Sequence, residues 1–218
     1  MLIVFDLDGT LIDSARDLAD AASELVQSYG AAPLQVSQVV GMVGDGASML
    51  VRRALEKSSL DPATAGALSR FLEMYDRRLL DHTVAYPGLG ESLSVAVQHG
   101  PLAVLTNKPL VPSVRILEAL GLRGFFWKIV GGDSAYPRKP DPAGLLAMMA
   151  EAPGQRSIMV GDSPADSKTA DAAGCAFAFA RYGFGAGKFG DDPPRTSYVL
   201  DHGRELPRML DRFARDQR

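Results

Sequence analysis

The stretch Val4-Phe5-Asp6-Leu7-Asp8-Gly9-Thr10-Leu11 constrains this chain more than any other, because two carboxylates stand two residues apart where an apolar run meets a glycine turn. Leu2, Ile3, Val4 and Phe5 read as a parallel strand buried on both faces, with Gly9-Thr10 as the turn beyond it. Strand alternation places Asp6 and Asp8 on one side and Leu7 on the other. Two anions so placed repel by about 4 kcal/mol at about 4 Å and an effective dielectric of roughly 20, so a metal ion, a shared proton or a cationic partner must accompany them. A lone Asp-x-Asp is more often a solvated turn, and the rest of the chain decides between the two.

Three further stretches have the same design. Leu102-Ala103-Val104-Leu105 is an apolar run ending in Thr106-Asn107, a hydroxyl and an amide. In Arg138-Lys139-Pro140-Asp141-Pro142 the prolines restrict the backbone around Lys139, and Asp141 or Pro142 can open a helix at Ala143; Arg138 reads as simply exposed. Ser157-Ile158-Met159-Val160-Gly161 is a third apolar run, followed by Asp162 and Asp166. That pair fits Mg²⁺, which takes few protein oxygens and keeps waters. Asp166 is equally suited to cap the helix that carries Ala170, Ala172 and Ala173. Open parallel sheets gather ligand sites at the carboxyl ends of their strands, so these stretches predict one composite site.

In this order the four stretches resemble the motifs of the haloacid dehalogenase superfamily, whose phosphatases carry Asp-x-Asp-Gly-Thr after the first strand. The resemblance implies an α/β fold, a Rossmann-like parallel sheet core with an inserted α-helical cap. It implies Asp6 as the nucleophile that forms an aspartyl-phosphate and Asp8 as general acid and base. Thr106 and Asn107 would hold the phosphoryl group, and Lys139 would neutralise both that group and Asp6. Mg²⁺ would be the cofactor, held among Asp6, Asp8, Asp162 and Asp166, the last directly or through water.

Composition agrees with an ordinary globular protein: 218 residues, 46% hydrophobic, 22% charged and a net charge of −3 without a basic tract, which argues against a nucleic-acid partner. Cys175, the single cysteine, lies beside Ala176-Phe177-Ala178-Phe179 and reads as a buried core thiol; His82, His99 and His202 have no zinc spacing. Met1 leads straight into the first strand and no apolar run approaches membrane length, so the expectation is a cytoplasmic protein with no membrane partner. The sequence carries no signal for oligomeric state, and none for function in the polar C-terminus beyond Tyr198.

Residues 14–85 have a different character and read as the cap, with residues 1–13 and 86–218 forming the catalytic core. Ser14-x-x-Asp17 resembles a capping box ahead of a helix with the stripe Leu18, Ala21, Ala22, Leu25, Val26 and Tyr29. A second helix is predicted from about Ala47 through Leu55 and a third from about Ala63 to Leu80, carrying Leu68, Phe71, Leu72, Tyr75 and Leu79. Hinges fall near Asp13 and Tyr86-Pro87. Gly41-Met42-Val43-Gly44-Asp45-Gly46 can expose backbone N–H groups to an anion, which makes Gly44, Asp45 and Gly46 candidate substrate contacts.

The segment Val43–Ala47 with Leu50–Leu55 resembles the cap of bacterial phosphoglycolate phosphatases. The likeness extends to Leu105–Pro109, Gly131-Gly132-Asp133 and Arg181-Tyr182-Gly183-Phe184-Gly185. The chain departs from that subfamily at the short connection Ala150-Glu151-Ala152-Pro153-Gly154 and at Ser167. The resemblance implies hydrolysis of a small phosphorylated metabolite, 2-phosphoglycolate first among them. The alternatives are a phosphosugar mutase or a broad-specificity phosphatase of the same fold, and a non-catalytic phosphate-binding regulatory protein.

Overall fold

The structure, a computed structural model, describes residues 1–152, 156–192, 194, 196 and 198–216. The chain opens with strands β1 (Leu2–Phe5) and β2 (Ile12–Asp13). Helices α1 (Ala15–Gln27), α2 (Val36–Val40), α3 (Ala47–Lys57) and α4 (Ala67–Arg78) follow, then β3 (Val84–Ala85). The remainder alternates: α5 (Leu89–Ala96), β4 (Leu102–Leu105), α6 (Leu110–Ala119), β5 (Phe126–Val130), α7 (Ala143–Glu151), β6 (Ser157–Gly161), α8 (Pro164–Ala173) and β7 (Ala176–Ala180). It closes with β8 (Tyr198–Leu200) and α9 (Leu206–Asp216).

Among the described residues six strands form one sheet in the order β5-β4-β1-β6-β7-β8, every pair parallel. Alternation within β1 sends Ile3 and Phe5 into a core with Leu93 of α5, Ile116 of α6 and Leu210 of α9. Leu2 and Val4 go to the opposite core, with Leu145 and Met148 of α7 and Ala170 of α8. Each such Leu or Ile contributes roughly 1.5–3 kcal/mol through burial. With both faces covered, a carboxylate is excluded along the strand and first becomes tolerable beyond Phe5.

The chain leaves the sheet after β1 and returns through the antiparallel ribbon of β2 with β3, which pairs Ile12 with Ala85 and Asp13 with Val84. Between them the stripe of α1 (Leu18, Ala22, Leu25) packs with Leu50 and Leu55 of α3 and Phe71 of α4, continuous with the core that holds Ile3 and Phe5.

Several local expectations are corrected. β1 stops at Phe5, and the carbonyl of Leu7 accepts from the N–H groups of Thr10, Leu11 and Ile12. This turn ends the two-residue alternation, so Asp6 and Asp8 reach different partners. Ser14 does not cap α1; its hydroxyl donates to Asp8, while Asp17 accepts from the N–H groups of His82 and Thr83 and from the Thr83 hydroxyl. The third cap helix begins at Ala67 rather than near Ala63, because Asp61 caps a tight turn through Ala63 and Gly66 adopts a left-handed φ of 77°. Leu68 lies exposed off its apolar stripe. Of the short connection at 150–154, residues 153 and 154 lie outside the described residues. Beyond Tyr198, β8 adds an edge strand, and α9 buries Leu206, Met209, Leu210 and Phe213.

Candidate active site

Because β4 and β6 flank β1, their carboxyl ends bring together Asp6, the run Thr106-Asn107-Lys108, and Asp162. Lys139 enters from the β5–α7 connection and Asp166 from the first turn of α8. All seven are buried.

Lys139 is the hub. Its Nζ lies 2.7 Å from Asp6 Oδ1 and 2.6 Å from Asp166 Oδ1. Burial by itself pulls this ammonium down, but Asp166 and Asp6 outweigh it and hold it above the ordinary lysine range. Asn107 fixes the backbone here: its Oδ1 accepts from Lys139 N–H (2.9 Å), and its Nδ2 donates to the carbonyls of Lys139 (3.0 Å) and of Gly44 in the α2–α3 connection (2.8 Å). The carboxamide of Asn107 thus faces backbone groups on either side of the site. Asp166 Oδ2 accepts from Ser163 N–H and Ser163 Oγ, so one carboxylate both caps α8 and pairs with Lys139.

Asp162 sits in a glycine cradle. Gly185 N–H donates to its Oδ2 at 2.6 Å, and a methyl on Gly183 would fall 2.1 Å from the Gly9 carbonyl and 2.3 Å from Asp162 Cβ. The Arg181–Gly185 segment therefore needs its glycines for close approach. Burial, then Asp166 and Asp6, push the Asp162 carboxyl well above the usual range. Burial likewise raises Asp6 to about 7, opposed by Lys139 and reinforced by Asp166.

Asp6, Asp162 and Asp166 offer oxygens that all lie within 4.8 Å of one another. When Asp6, Asp8, Asp162 and Asp166 are ionised, the ammoniums paired with them among the described residues are those of Lys139 and Lys108, an excess of two negative charges within this group. An all-oxygen donor set with that residual charge fits a divalent cation such as Mg²⁺.

Asp8 lies apart from that cluster. Its carboxylate accepts from Lys108 Nζ at 3.1 and 3.2 Å and from Ser14 Oγ at 2.5 Å, and Lys108 Nζ also donates to the Tyr75 hydroxyl of α4 at 2.6 Å. Asp6, Asp8, Thr106, Asn107 and Lys108 line a cavity of about 50 Å³ together with Val43, Gly44, Gly46, Leu50, Phe71 and Tyr75 among others. Gly44 and Gly46 have left-handed φ values of 113° and 87°, and a methyl on Gly46 would meet the Arg138 guanidinium at 2.9 Å. Asp45 pairs with Arg53 at 2.6 Å. Arg138 is exposed, yet it donates to the Gly132 carbonyl and to Ser48 of α3.

Lys108, Tyr75 and Ser14 are site groups that the sequence reading did not assign. Lys108 falls inside the Leu105–Pro109 likeness, yet a lysine just beyond a strand reads as a solvated loop residue. Tyr75 lies on the core stripe read for its helix, and its hydroxyl reaches Lys108 as well.

Comparison with known proteins agrees with this geometry. The family model of the haloacid dehalogenase-like hydrolases matches residues 3–180. A phosphoglycolate phosphatase of Pseudomonas syringae pv. syringae is 40% identical over 223 residues, covering 98% of this chain and 81% of the relative. One of Cereibacter sphaeroides is 36% identical over 212 residues, with coverage of 95% and 96%. The crystal structure of a predicted phosphoglycolate phosphatase from Haemophilus somnus superposes with a TM-score of 0.85 at 28% identity, covering 95% of this chain and 96% of that one. Among the described residues no helix is long and apolar enough to cross a membrane. With the parallel sheet, the acidic cluster at its edge and relatives similar over nearly the full length, the chain belongs to the haloacid dehalogenase-like hydrolases and is a phosphatase.

Proposed function

We propose that the protein is a Mg²⁺-dependent phosphomonoesterase acting through an aspartyl-phosphate on Asp6, with 2-phosphoglycolate as its substrate. The observation that carries this reading is the separate environment of its two leading carboxylates. Asp6 faces Lys139 inside the acidic cluster, whereas Asp8 faces Lys108 and the cap-lined cavity. Two carboxyl groups in different surroundings are suited to two different roles, nucleophile and acid–base catalyst.

Asp6 attacks phosphorus in line while Lys139 and Thr106 hold the phosphoryl oxygens. Asp8 gives its proton to the departing alkoxide and then takes one from the water that cleaves the aspartyl-phosphate. Held by Asp6, Asp162 and Asp166, Mg²⁺ would supply charge neutralisation for the transferring group. Asn107 keeps Lys139 in place. Residues 14–85 act as a cap over the core formed by residues 1–13 and 86–218, excluding water during transfer. The small cavity suits a two-carbon leaving group better than a sugar, and the names of the relatives at 36–40% identity support the same substrate.

The test is kcat/KM with Mg²⁺ for 2-phosphoglycolate against sugar phosphates, nucleoside monophosphates and an aryl phosphate, with acid-quench mass spectrometry of the Asp6 peptide. A hundredfold preference, about 2.7 kcal/mol of transition-state discrimination, and a phosphoryl adduct on Asp6 are expected. A flat profile would remove the substrate assignment, full activity in Asp6→Asn would remove the nucleophile, and binding without turnover would favour a regulatory protein. Return of the phosphoryl group to a sugar would favour a mutase.

A further inference from the structure

We propose that Lys108, braced by Tyr75 of the cap, recognises a carboxylate on the same carbon that carries the ester oxygen, so that the enzyme selects 2-phosphorylated hydroxy acids. The proposal rests on Asp8 being the general acid.

Lys108 is held rigidly. Its backbone N–H donates to Thr106 Oγ1 at 3.2 Å, and its carbonyl accepts from Gly132 N–H at 2.8 Å. Its ammonium is closed to solvent, and among the described residues the carboxylate paired with it is that of Asp8. Burial alone lowers its proton affinity; Asp8 and Tyr75 restore it, so the group is a cation in this setting. Beyond Asp8 and Tyr75, the cavity that Lys108 lines is walled by the apolar side chains of Val43, Leu50, Phe71 and Leu72, so an anionic substituent of a bound substrate finds its partner in this ammonium.

Geometry says where the substituent must sit. To protonate the leaving group, an Asp8 oxygen has to lie within hydrogen-bond reach of the ester oxygen, about 2.6–3.2 Å. Lys108 Nζ is 3.1 Å from one Asp8 oxygen and 3.2 Å from the other. In a 2-phosphorylated hydroxy acid one carbon separates the ester oxygen from the carboxylate carbon, each bond being roughly 1.5 Å. A cation that touches Asp8 is therefore placed to touch this carboxylate as well. Among the described residues lining the cavity, Lys108 is the sole cation. Tyr75 OH accepts from Lys108 and, with its phenol pushed up to about 12 by burial, stays neutral; it is a positioning residue.

The experiment compares 2-phosphoglycolate with ethyl phosphate, which replaces the carboxylate by a methyl group, in wild type, Lys108→Met and Tyr75→Phe. Wild type is expected to favour 2-phosphoglycolate by at least a hundredfold in kcat/KM. Lys108→Met should compress the ratio below about threefold, and Tyr75→Phe should lower it about tenfold. If Lys108 merely served Asp8, both esters would slow by the same factor and the ratio would survive, which would overturn the proposal. A wild-type ratio near one would overturn it too. Dissociation constants of the two esters measured with Mg²⁺ on Asp6→Asn, with and without Lys108→Met, read the same ratio without turnover. Failure of the phosphatase mechanism would leave the fall of this binding ratio on Lys108→Met intact, whereas failure of the Lys108 assignment would leave the ratio unchanged by that substitution. If Lys108→Met does not fold by circular dichroism, an unchanged ratio in Tyr75→Phe still overturns the proposal.

Discussion

Lys139 meets Asp6 with Nζ 2.7 Å from Oδ1 and both side chains nearly closed to solvent, so each favours the charged form of the other. A cation at this point favours the ionised carboxylate where water cannot stabilise it.

Lys139→Met removes the ammonium from between Asp6 and Asp166 and leaves both carboxylates buried without it. Breaking such a buried pair costs about 3 kcal/mol or more, and in the proposed mechanism loss of this cation costs about a hundredfold or more in kcat. Urea denaturation should show the larger stability loss at pH 8 and a smaller one at pH 5, where the carboxyls can take up protons. A loss independent of pH would contradict the pairing.

Asp6, raised by burial to about 7 from 3.8, holds a proton in the fold over a range where the unfolded chain has released it. Between those values the folded state binds more protons than the unfolded state, so this group makes stability fall as pH rises through the window. A divalent cation competes with that proton. The rise in Tm on adding Mg²⁺ should therefore be larger at pH 8 than at pH 5 by calorimetry; equal shifts would argue against Asp6 and Asp162 as the cation's seat.

Asn107→Leu deletes bonds to Lys139 N–H, to the Lys139 carbonyl and to the Gly44 carbonyl, and so releases Lys139 and the loop at Gly44 together. We expect kcat/KM to fall about 10- to 100-fold, consistent with misplacement of a positioned group. Asn107→Asp, which can still accept from Lys139 N–H but cannot donate to either carbonyl, should recover no more than a small part. Steady-state kinetics of the pair decides it.

Gly183→Ala forces a methyl against the Gly9 carbonyl and Asp162 Cβ, whereas Gly187→Ala meets nothing within 4 Å. Overpacking should cost the first about 1–3 kcal/mol and weaken Mg²⁺ binding, and leave the second within about 0.5 kcal/mol of wild type. Thermal melts and Mg²⁺ titrations of both proteins check it. Equal behaviour of the two variants would show that the cradle is not tight.

The residues that mark the site were legible along the chain because each is a local event. An apolar strand covered on both faces must end before a carboxylate is tolerable, so Phe5 to Asp6 and Gly161 to Asp162 are readable from order alone. The stripes of α1 and α3 and the helix opening at Ala143 are equally local, although the start of α4 shifted at Gly66.

What the tertiary structure alone decided is the partnership of charges. The strand order places the ends of β4 and β6 on either side of β1, and this delivers Lys108 to Asp8 while Lys139 enters from the β5–α7 connection to reach Asp6 and Asp166. Ser14 suits an N-cap by sequence, yet the turn at Leu7 brings Asp8 to its hydroxyl, and Tyr75, buried on its core stripe, also reaches a lysine through its hydroxyl. Such choices are invisible locally because hydrogen bonds and ion pairs act over a few ångströms of space, and only the packed sheet and cap bring groups distant along the chain within that reach.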